Sequence, residues 1–302
     1  MRKAVIDLGT NTFDLIIVEF LQATTHRFKV VHTDKSFVSL GQGGINEKRI
    51  TEEAMERAQF ALEHFLQACK EYHLDIDNIH AFGTSALRDA TNANEFRKTV
   101  KRKLNLEIAI IDGKQEAQYI YEGIKGIHRL SEISCIMDIG GGSTEFIFAD
   151  QHEVMQIDSV DIGVSRILQL FNVPDQLDSK SIQEIETFLE QKAAHLFGRQ
   201  IATTLIGAAG SFETFYQLVT EQVSYADFAT HEIPMGALNE TLDYLINSSL
   251  KERENNVWIP DYRRKMIHIA ALQTRWVIQQ QKIVSCYFSP AALKEGVLFS
   301  SY

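Results

Sequence analysis

The stretch that decides the fold is Asp138-Ile139-Gly140-Gly141-Gly142-Ser143-Thr144-Glu145, which follows one apolar run and leads into another. The two runs predict strands joined by a glycine-rich hairpin. Glycine lets backbone N–H groups approach an anion closely, and a carboxylate at the end of a strand can hold a hydrated Mg²⁺. Ser143 and Thr144 can donate to phosphate oxygens, with Glu145 on the same rim. The alternative is a hairpin whose glycines serve only the turn.

The same pattern occurs earlier in the chain, and laying Asp138 on Asp7 gives a shift of 131 residues (138 − 7). With this shift Asp7-Leu8-Gly9 matches Asp138-Ile139-Gly140, Thr12 matches Ser143, and Asp14 matches Glu145. A repeat of this length is too long for a solenoid unit. We therefore predict two similar α/β lobes that face each other across a cleft, where the two loops hold a phosphoryl chain from both sides.

Apolar periodicity predicts the remaining elements. In the first half we expect three antiparallel strands within residues 4–38, a helix capped by Thr51, a strand near 79–82, a helix from Asn92 with an Asn92-x-x-Glu95 capping box, a strand at 107–111 and a helix at 114–124. In the second half we expect strands at 133–137, 146–149, 154–160, 204–207 and 283–288, and helices at 164–171, 181–197, after Gly210, at 260–280 and from Ser289-Pro290.

The predicted domain boundary lies near Gly123–Gly126. It divides the chain into a first lobe of residues 1–124, completed by a C-terminal helix at 289–302, and a second lobe of residues 125–288.

The composition is typical of a folded protein in a reducing compartment. Hydrophobic residues are 45% and charged residues 23% of the 302 residues, which excludes a disordered or collagen-like chain. The net charge of −10 predicts repulsion of nucleic acid, so an anionic ligand needs a local site. Three widely spaced cysteines, no secretory leader and no apolar run near the ~20 residues that cross a bilayer predict a soluble cytoplasmic protein.

Five segments occur in the order found in one protein family: Asp7 to Phe13, Gly83 to Ala90, Asp112 to Ala117, Asp138 to Glu145, and Gly163 to Arg166. Over its first two-thirds the chain resembles the exopolyphosphatase and guanosine pentaphosphate phosphohydrolase family. That family belongs to the actin, sugar-kinase and chaperone-ATPase superfamily. The resemblance implies two ribonuclease-H-like (actin-like) lobes with mixed β-sheets flanked by helices, and an active site in the cleft between them.

The resemblance also implies roles for single residues. Arg88 is the phosphate-clamping arginine, Glu116 is the general base that deprotonates water, and Glu145 is the second candidate for the base. Out of context, the favoured interpretation of Arg88 is a salt bridge with Asp89 or Glu95, and Glu116 is an acidic residue in the first turn of a helix. Within the motif, the phosphate clamp is favoured. The expected phosphate-binding residues are Gly9, Thr10, Asn11, Thr12, Gly140, Gly141, Gly142, Ser143, Thr144, Gly210 and Ser211. The expected ligands of Mg²⁺, or of Mn²⁺, are Asp7, Asp138 and Glu145.

Three features depart from the family pattern or lie outside it. Ala209 stands where a glycine is usual in the nucleotide-side motif, so a nucleotide is held less closely. Asp14 stands where many relatives carry a basic or neutral residue. The basic run Arg97 to Lys103 either steers polyphosphate toward the cleft or forms a solvated helix face.

The predicted function is metal-assisted hydrolysis of inorganic polyphosphate at its terminal orthophosphate, with a preference for short chains. Hydrolysis of guanosine pentaphosphate is the alternative substrate choice. A non-catalytic sensor of polyphosphate or guanosine tetraphosphate is the alternative from another class, and the presence of both Glu116 and Glu145 argues against it. We expect no nucleic-acid or membrane partner, and the sequence is compatible with a homodimer.

Overall fold

The computed structural model describes residues 1–21, 28–222 and 228–300. Its strands are β1 (Arg2–Leu8), β2 (Thr12–Phe20), β3 (Phe28–Phe37), β4 (Ile79–Gly83), β5 (Ile108–Ile110), β6 (Ser134–Ile139), β7 (Thr144–Ala149), β8 (Val154–Val160), β9 (Thr204–Ala208), β10 (His231–Ile233) and β11 (Ser285–Ser289). Its helices are α1 (Glu52–Glu71), α2 (Ser85–Asp89), α3 (Ala93–Leu104), α4 (Gly113–Ile127), α5 (Val164–Leu170), α6 (Ser179–Ala193), α7 (Ala209–Thr220), α8 (Met235–Asn247), α9 (Leu250–Asn255), α10 (Ile267–Gln281) and α11 (Leu293–Ser300).

The strands form two mixed sheets, each the centre of one lobe. The first sheet has the order β3-β2-β1-β4-β5 and the second β10-β11-β9-β6-β7-β8. In the first, β1, β2 and β3 are antiparallel neighbours, while β4 and β5 run parallel to β1. The second repeats this arrangement with β6, β7 and β8 antiparallel and β9 parallel to β6. The predicted fold class, two mixed sheets flanked by helices, is confirmed.

The repeat predicted from sequence reappears as identical strand pairing. Asp7 pairs with Asp14 across β1 and β2, and Asp138 pairs with Glu145 across β6 and β7. Each loop is closed by a backbone hydrogen bond from its first glycine, Gly9 N to Thr12 O at 3.1 Å and Gly140 N to Ser143 O at 3.0 Å. The 131-residue shift therefore holds for backbone geometry as well as for residue type. We call Asp7–Asp14 the first hairpin and Asp138–Glu145 the second hairpin.

Helix α4 and the C-terminal helix α11 pack against each other beside the first sheet. A Cβ on Gly123 would clash with the carbonyl oxygen of Ala292, and one on Gly126 would lie 2.5 Å from the Phe299 ring. These glycines therefore allow close helix packing and lie inside a helix rather than in a linker. The division into residues 1–124 and 125–288 stays a prediction.

Several element boundaries differ from the sequence predictions. The Asn92 capping box is wrong, because the Asn92 side chain bonds to the backbone of Ile50 and makes no cap bond to α3. Helix α10 begins at Ile267 instead of residue 260, after a short 3₁₀ turn at Asp261–Arg263. Helix α11 begins at Leu293, since the Ser289 side chain bonds to Ala291 in a local turn. Strand β10 and helices α2, α8 and α9 were not predicted.

The cap of α1 agrees with the sequence prediction, because the Thr51 hydroxyl accepts a hydrogen bond from Ala54 N at 3.2 Å. Over the described ranges, none of the helices has both the length and the apolar character that a bilayer span requires.

Candidate active site

A cavity of about 230 Å³ lies between the two hairpins. Most residues predicted to bind phosphate or metal, or to act as the base, line this cavity: Asp7, Gly9, Thr10, Asn11, Thr12, Glu116, Asp138, Gly140, Gly141, Gly142, Ser143, Glu145, Gly210 and Ser211. Two predicted residues, Arg88 and Thr144, are outside the set of described lining residues.

The hairpin glycines are required for space rather than for backbone conformation. In the described part of the chain, positive φ among glycines is confined to Gly43 and Gly198, which lie outside both hairpins. A Cβ on Gly141 would lie 2.7 Å from Asn11 Nδ2, which belongs to the opposite hairpin. The two hairpins thus approach so closely that a side chain at this position would separate them.

The second hairpin is held by a buried arginine that the sequence reasoning did not assign. Arg166 donates through Nε to Gly142 O at 2.9 Å and through Nη2 to the Asp89 carboxylate at 2.5 Å. Asp89 follows Arg88 on α2, but it pairs with Arg166, which contradicts the alternative of an Arg88–Asp89 salt bridge. This pair ties the glycine loop of one lobe to α2 of the other.

Glu116 lies in the first turn of α4, where Asp112 caps the helix by accepting from Gln115 N at 2.8 Å. Its side chain is buried, with 8% of the residue exposed, and its Oε2 accepts from Arg88 Nη1 at 2.7 Å. Burial raises the pKa of Glu116 well above its usual range, repulsion from Glu145 adds to this, and Arg88 opposes it. Such a carboxylate is a stronger proton acceptor than an ordinary glutamate.

Glu145 is held by hydroxyl groups instead of a cation. Its Oε1 accepts from Ser143 Oγ and from Ser159 Oγ, each at 2.6 Å. Burial raises the pKa of Glu145, although these two hydrogen bonds and the charge of Arg88 lower it in part. Arg88 Nη2 lies 3.5 Å from both serine hydroxyls, so the Arg88 guanidinium joins Glu116 to the hydroxyl pair beneath Glu145.

Asp7 and Asp138 end the two equivalent strands and lie close enough to repel each other. Burial raises the pKa of Asp7 to about 7, with a further contribution from Asp14. Burial likewise raises the pKa of Asp138, with contributions from Glu145 and Asp7. The buried Asp7 Oδ1 has no hydrogen-bond partner among the described residues. Buried carboxylates that repel each other, as Asp7 and Asp138 do, favour a bound cation, because its positive charge would relieve the repulsion.

Thr144 is a correction to the predicted phosphate ligands. Successive side chains of a strand point to opposite faces, so Ser143 and Glu145 face the cavity and Thr144 faces the interior of the second lobe. Its hydroxyl donates to Gln273 Oε1 at 3.4 Å and the residue is fully buried. Strand alternation applied to the sequence could have excluded this residue.

The cavity contains charged residues that sequence reasoning did not single out. Its acidic lining residues are Asp7, Asp14, Glu116, Asp138, Glu145 and Glu213, and its basic lining residues are Lys35, Arg263 and Lys294. All three cations have acidic partners: Lys35 with Asp14 at 3.2 Å, Arg263 with Glu213 at 2.9 Å and Lys294 with Glu295 at 3.1 Å. The Lys35 pair also gives a physical account of Asp14, a departure that the sequence left unexplained.

Ala209 begins α7 at the cavity wall with φ of +58°. This left-handed conformation is unfavourable for alanine and suits glycine. The departure from the family's glycine is therefore a strained position in the structure.

The basic run on α3 lies outside the described lining of the cavity. Three of its members make local contacts: Arg97 with Ile108 O, Lys101 with Glu107 and Lys103 with Gln59. These contacts agree with the interpretation of a solvated helix face, while steering of polyphosphate stays a prediction.

The sequence and the fold of the chain are similar to those of known proteins. The profile of the Ppx/GppA phosphatase family matches residues 19–302. The chain belongs to this family. An exopolyphosphatase from Cytophaga hutchinsonii has a solved structure that is 29% identical in sequence, with a TM-score of 0.94 over 100% of this chain and 97% of that chain. The family resemblance predicted from sequence is confirmed.

Two curated members of the family are named guanosine-5'-triphosphate,3'-diphosphate pyrophosphatase. The protein from Aeromonas salmonicida is 30% identical over 299 residues, which cover 98% of this chain and 58% of that relative. The protein from Aeromonas hydrophila is 30% identical over 222 residues, which cover 72% of this chain and 44% of that relative. The chain thus spans about half the length of these relatives.

Proposed function

We propose that this Ppx/GppA family member releases terminal orthophosphate from inorganic polyphosphate, with water as the nucleophile. The placement of Glu116 carries the proposal, because this buried carboxylate accepts from Arg88 at 2.7 Å and lines the cavity between the two glycine-containing hairpins. Its raised pKa suits a general base that works near neutral pH.

In the proposed reaction, a water oxygen bonds to the terminal phosphorus as the bridging P–O bond on the opposite side breaks. The water proton passes to Glu116, and the electron pair of the broken bond stays on the shortened chain. The backbone N–H groups of the hairpins bind the phosphate oxygens, while the single proton of the Ser143 hydroxyl is donated to Glu145. Arg88 orients the base, while Glu145 fixes Ser143.

The lining residues fit a divalent cation. Acidic lining residues outnumber basic ones, and Asp7 Oδ1, which has no partner among the described residues, can accept a cation when the carboxylate is ionised. Asp7, Asp138 and Glu145 are the proposed ligands for Mg²⁺. Within the described ranges no three His, Cys, Asp or Glu side chains converge to hold a metal ion directly. Mg²⁺ bound at these residues would therefore keep several waters and take substrate oxygens. When bound, Mg²⁺ neutralises phosphate charge.

The size of the cavity favours an inorganic chain over a nucleotide. Its volume of about 230 Å³ is below the ~300–1,000 Å³ typical of sites for drug-sized ligands. The Ala209 methyl group adds to this restriction at the cavity wall.

Guanosine pentaphosphate is the second candidate substrate, and a neighbouring cavity favours it. This cavity of about 1,300 Å³ shares Asp14, Lys35 and Lys294 with the first and is lined by Phe28, Phe228 and Phe299, which offer apolar surface to a base. The names of the two Aeromonas relatives point the same way.

The deciding experiment compares kcat/KM for tripolyphosphate and guanosine pentaphosphate in the wild type and in Glu116→Gln. We expect the larger value for tripolyphosphate and a loss of about 10²–10⁴ in kcat in the variant, with binding retained. Glu95→Gln is the matched control, because Glu95 occupies the first turn of α3 as Glu116 does in α4. Equally small losses of kcat in the two variants would show that Glu116 is not the base and interacts only with the dipole of α4. Binding of tripolyphosphate without turnover in the wild type would support the sensor instead.

Two further measurements test the cofactor and the chain-length preference. EDTA should suppress activity, and Mg²⁺ or Mn²⁺ should restore it better than Zn²⁺, because the proposed ligands are hard oxygen donors. Digestion of long polyphosphate with limiting enzyme should give a ladder of shortened chains on a gel. Persistence of full-length chains beside free phosphate, with nothing between, would contradict the short-chain preference.

A further inference from the structure

A buried hydroxyl group at the cavity has no hydrogen-bond partner among the described residues. Ser85, the first residue of α2, is 2% exposed and lines the cavity. Its Oγ is fully enclosed and makes no hydrogen bond to any described residue. Buried hydroxyls are normally satisfied, because an enclosed polar group without a partner destabilises the folded state.

Asp7 Oδ1 and Ser85 Oγ both lack a hydrogen-bond partner among the described residues, but they differ in what they can donate or accept. Asp7 Oδ1 belongs to a carboxylate and, when ionised, can only accept, whereas the Ser85 hydroxyl can donate. An ionised carboxylate therefore seeks a cation or a donor, while a hydroxyl can serve an anionic oxygen. Phosphate oxygens are acceptors of this kind.

The surroundings of Ser85 place it where the two lobes meet. A Cβ on Gly142 of the second hairpin would clash with Ser85 Oγ and would lie 2.9 Å from the Thr10 hydroxyl of the first hairpin. Three residues later on the same helix, Arg88 bonds to Glu116. Helix α2 therefore supplies the cavity with a hydroxyl and fixes the proposed base with an arginine.

We propose that Ser85 is a substrate-binding residue whose hydroxyl donates to a phosphate oxygen in the cavity between the two hairpins. The proposal rests on the proposed function and names a contact that the hairpins themselves do not provide. The ligand-free protein carries the unsatisfied hydroxyl at a cost in stability, and phosphate binding removes this cost.

The test uses two effects of opposite sign that Ser85→Ala should have: higher stability of the ligand-free protein and weaker binding of tripolyphosphate. Removal of an unsatisfied hydroxyl should raise the thermal midpoint of the ligand-free protein by about 2–4 °C. It should also weaken tripolyphosphate binding about 10-fold, measured by calorimetry in the Glu116→Gln background, and lower kcat/KM by a similar factor. Ser85→Cys, which keeps the volume with a weak donor, should weaken binding to a similar extent.

Ser134→Ala is the matched control, since Ser134 is equally buried and its hydroxyl donates to Glu132 O at 3.1 Å, away from the described cavity lining. It should lower the thermal midpoint and leave binding unchanged. A lower ligand-free midpoint in Ser85→Ala, or binding within twofold of the parent, would overturn the proposal. If the wild type hydrolyses neither substrate but Ser85→Ala still weakens tripolyphosphate binding, the proposed function fails and the Ser85 contact stands.

Discussion

The two hairpins share backbone pairing but hold their second carboxylates in different ways. Asp14 of the first hairpin pairs with the Lys35 ammonium at 3.2 Å, whereas Glu145 of the second accepts from two serine hydroxyls at 2.6 Å. A cation neutralises a carboxylate, while hydroxyls orient it and leave its charge in place. The first hairpin therefore carries an ion pair, whereas the second keeps a carboxylate at the cavity that hydroxyl groups orient.

Removing these two carboxylates separately should give the largest contrast. Glu145→Gln should lower kcat by about 10²-fold or more, because it disturbs Ser143, Ser159 and the electrostatic environment of Glu116. Asp14→Asn should change kcat by less than about fivefold, since Asp14 is committed to Lys35. Steady-state kinetics on tripolyphosphate measures both, and equal losses would show that the hairpins contribute alike.

Arg88→Lys should have a smaller effect, and it tests whether the link from the proposed base to the second hairpin matters. The guanidinium contacts Glu116 with one nitrogen and the two serine hydroxyls with the other. A lysine ammonium keeps the charge but cannot span these groups, so kcat/KM should fall about 10-fold. Arg97→Lys on α3 is the control outside the described cavity lining. An unchanged kcat/KM in Arg88→Lys would make the link dispensable.

Asp7 should produce a pH-dependent difference in stability. Its folded pKa of about 7 lies above the ordinary value of 3.8, so the folded state binds more protons between these pH values. Its contribution to stability therefore decreases as pH rises from about 4 to 7. Asp7→Asn should raise the thermal midpoint by several degrees at pH 8 and hardly at pH 4, relative to the wild type at each pH. The same gain at both pH values would contradict a raised pKa.

The smallest effect concerns a third loop at the cavity, which differs from both hairpins in backbone conformation. Ala209 has φ of +58°, whereas none of the described hairpin glycines has a positive φ. Ala209→Gly should raise the free energy of unfolding by about 0.5–1 kcal/mol, because glycine adopts this conformation without strain. Urea unfolding measures the change. A lower midpoint would show that the lost methyl contacts outweigh the strain.

The sequence predicted most of what depends on local pattern. The 131-residue repeat predicted two equivalent hairpins, and the structure has the same pairing in both, Asp7 with Asp14 and Asp138 with Glu145. Strand and helix types followed from apolar periodicity for nearly all long elements. Predicted helix starts were wrong where a side chain bonds elsewhere: Asn92 bonds to Ile50 instead of capping α3, and Ser289 bonds to Ala291 ahead of α11.

The parts of the site that could not be predicted depend on long-range packing. Lys294 reaches the site from an element remote in the chain, and Ser159 and Arg166 reach it from the strand and helix that follow the second hairpin. No spacing rule links any of the three to Glu116. The Arg88–Glu116 pair was missed for the same reason, since the sequence offered the nearer Asp89 and Glu95 as partners. Proximity in sequence was a poor guide to these ion pairs.

The packing of α11 on α4 also has a consequence for the order in which the molecule folds. Apolar residues near the start of the chain, Val5 and Ile16, share a cluster with Leu293, Val297 and Leu298. During synthesis this face of the first sheet lacks its contacts with α11 until residues 293–298 have been made. Contacts of such large sequence separation slow folding, so the N-terminal half should reach its native form only after the second sheet has been synthesised.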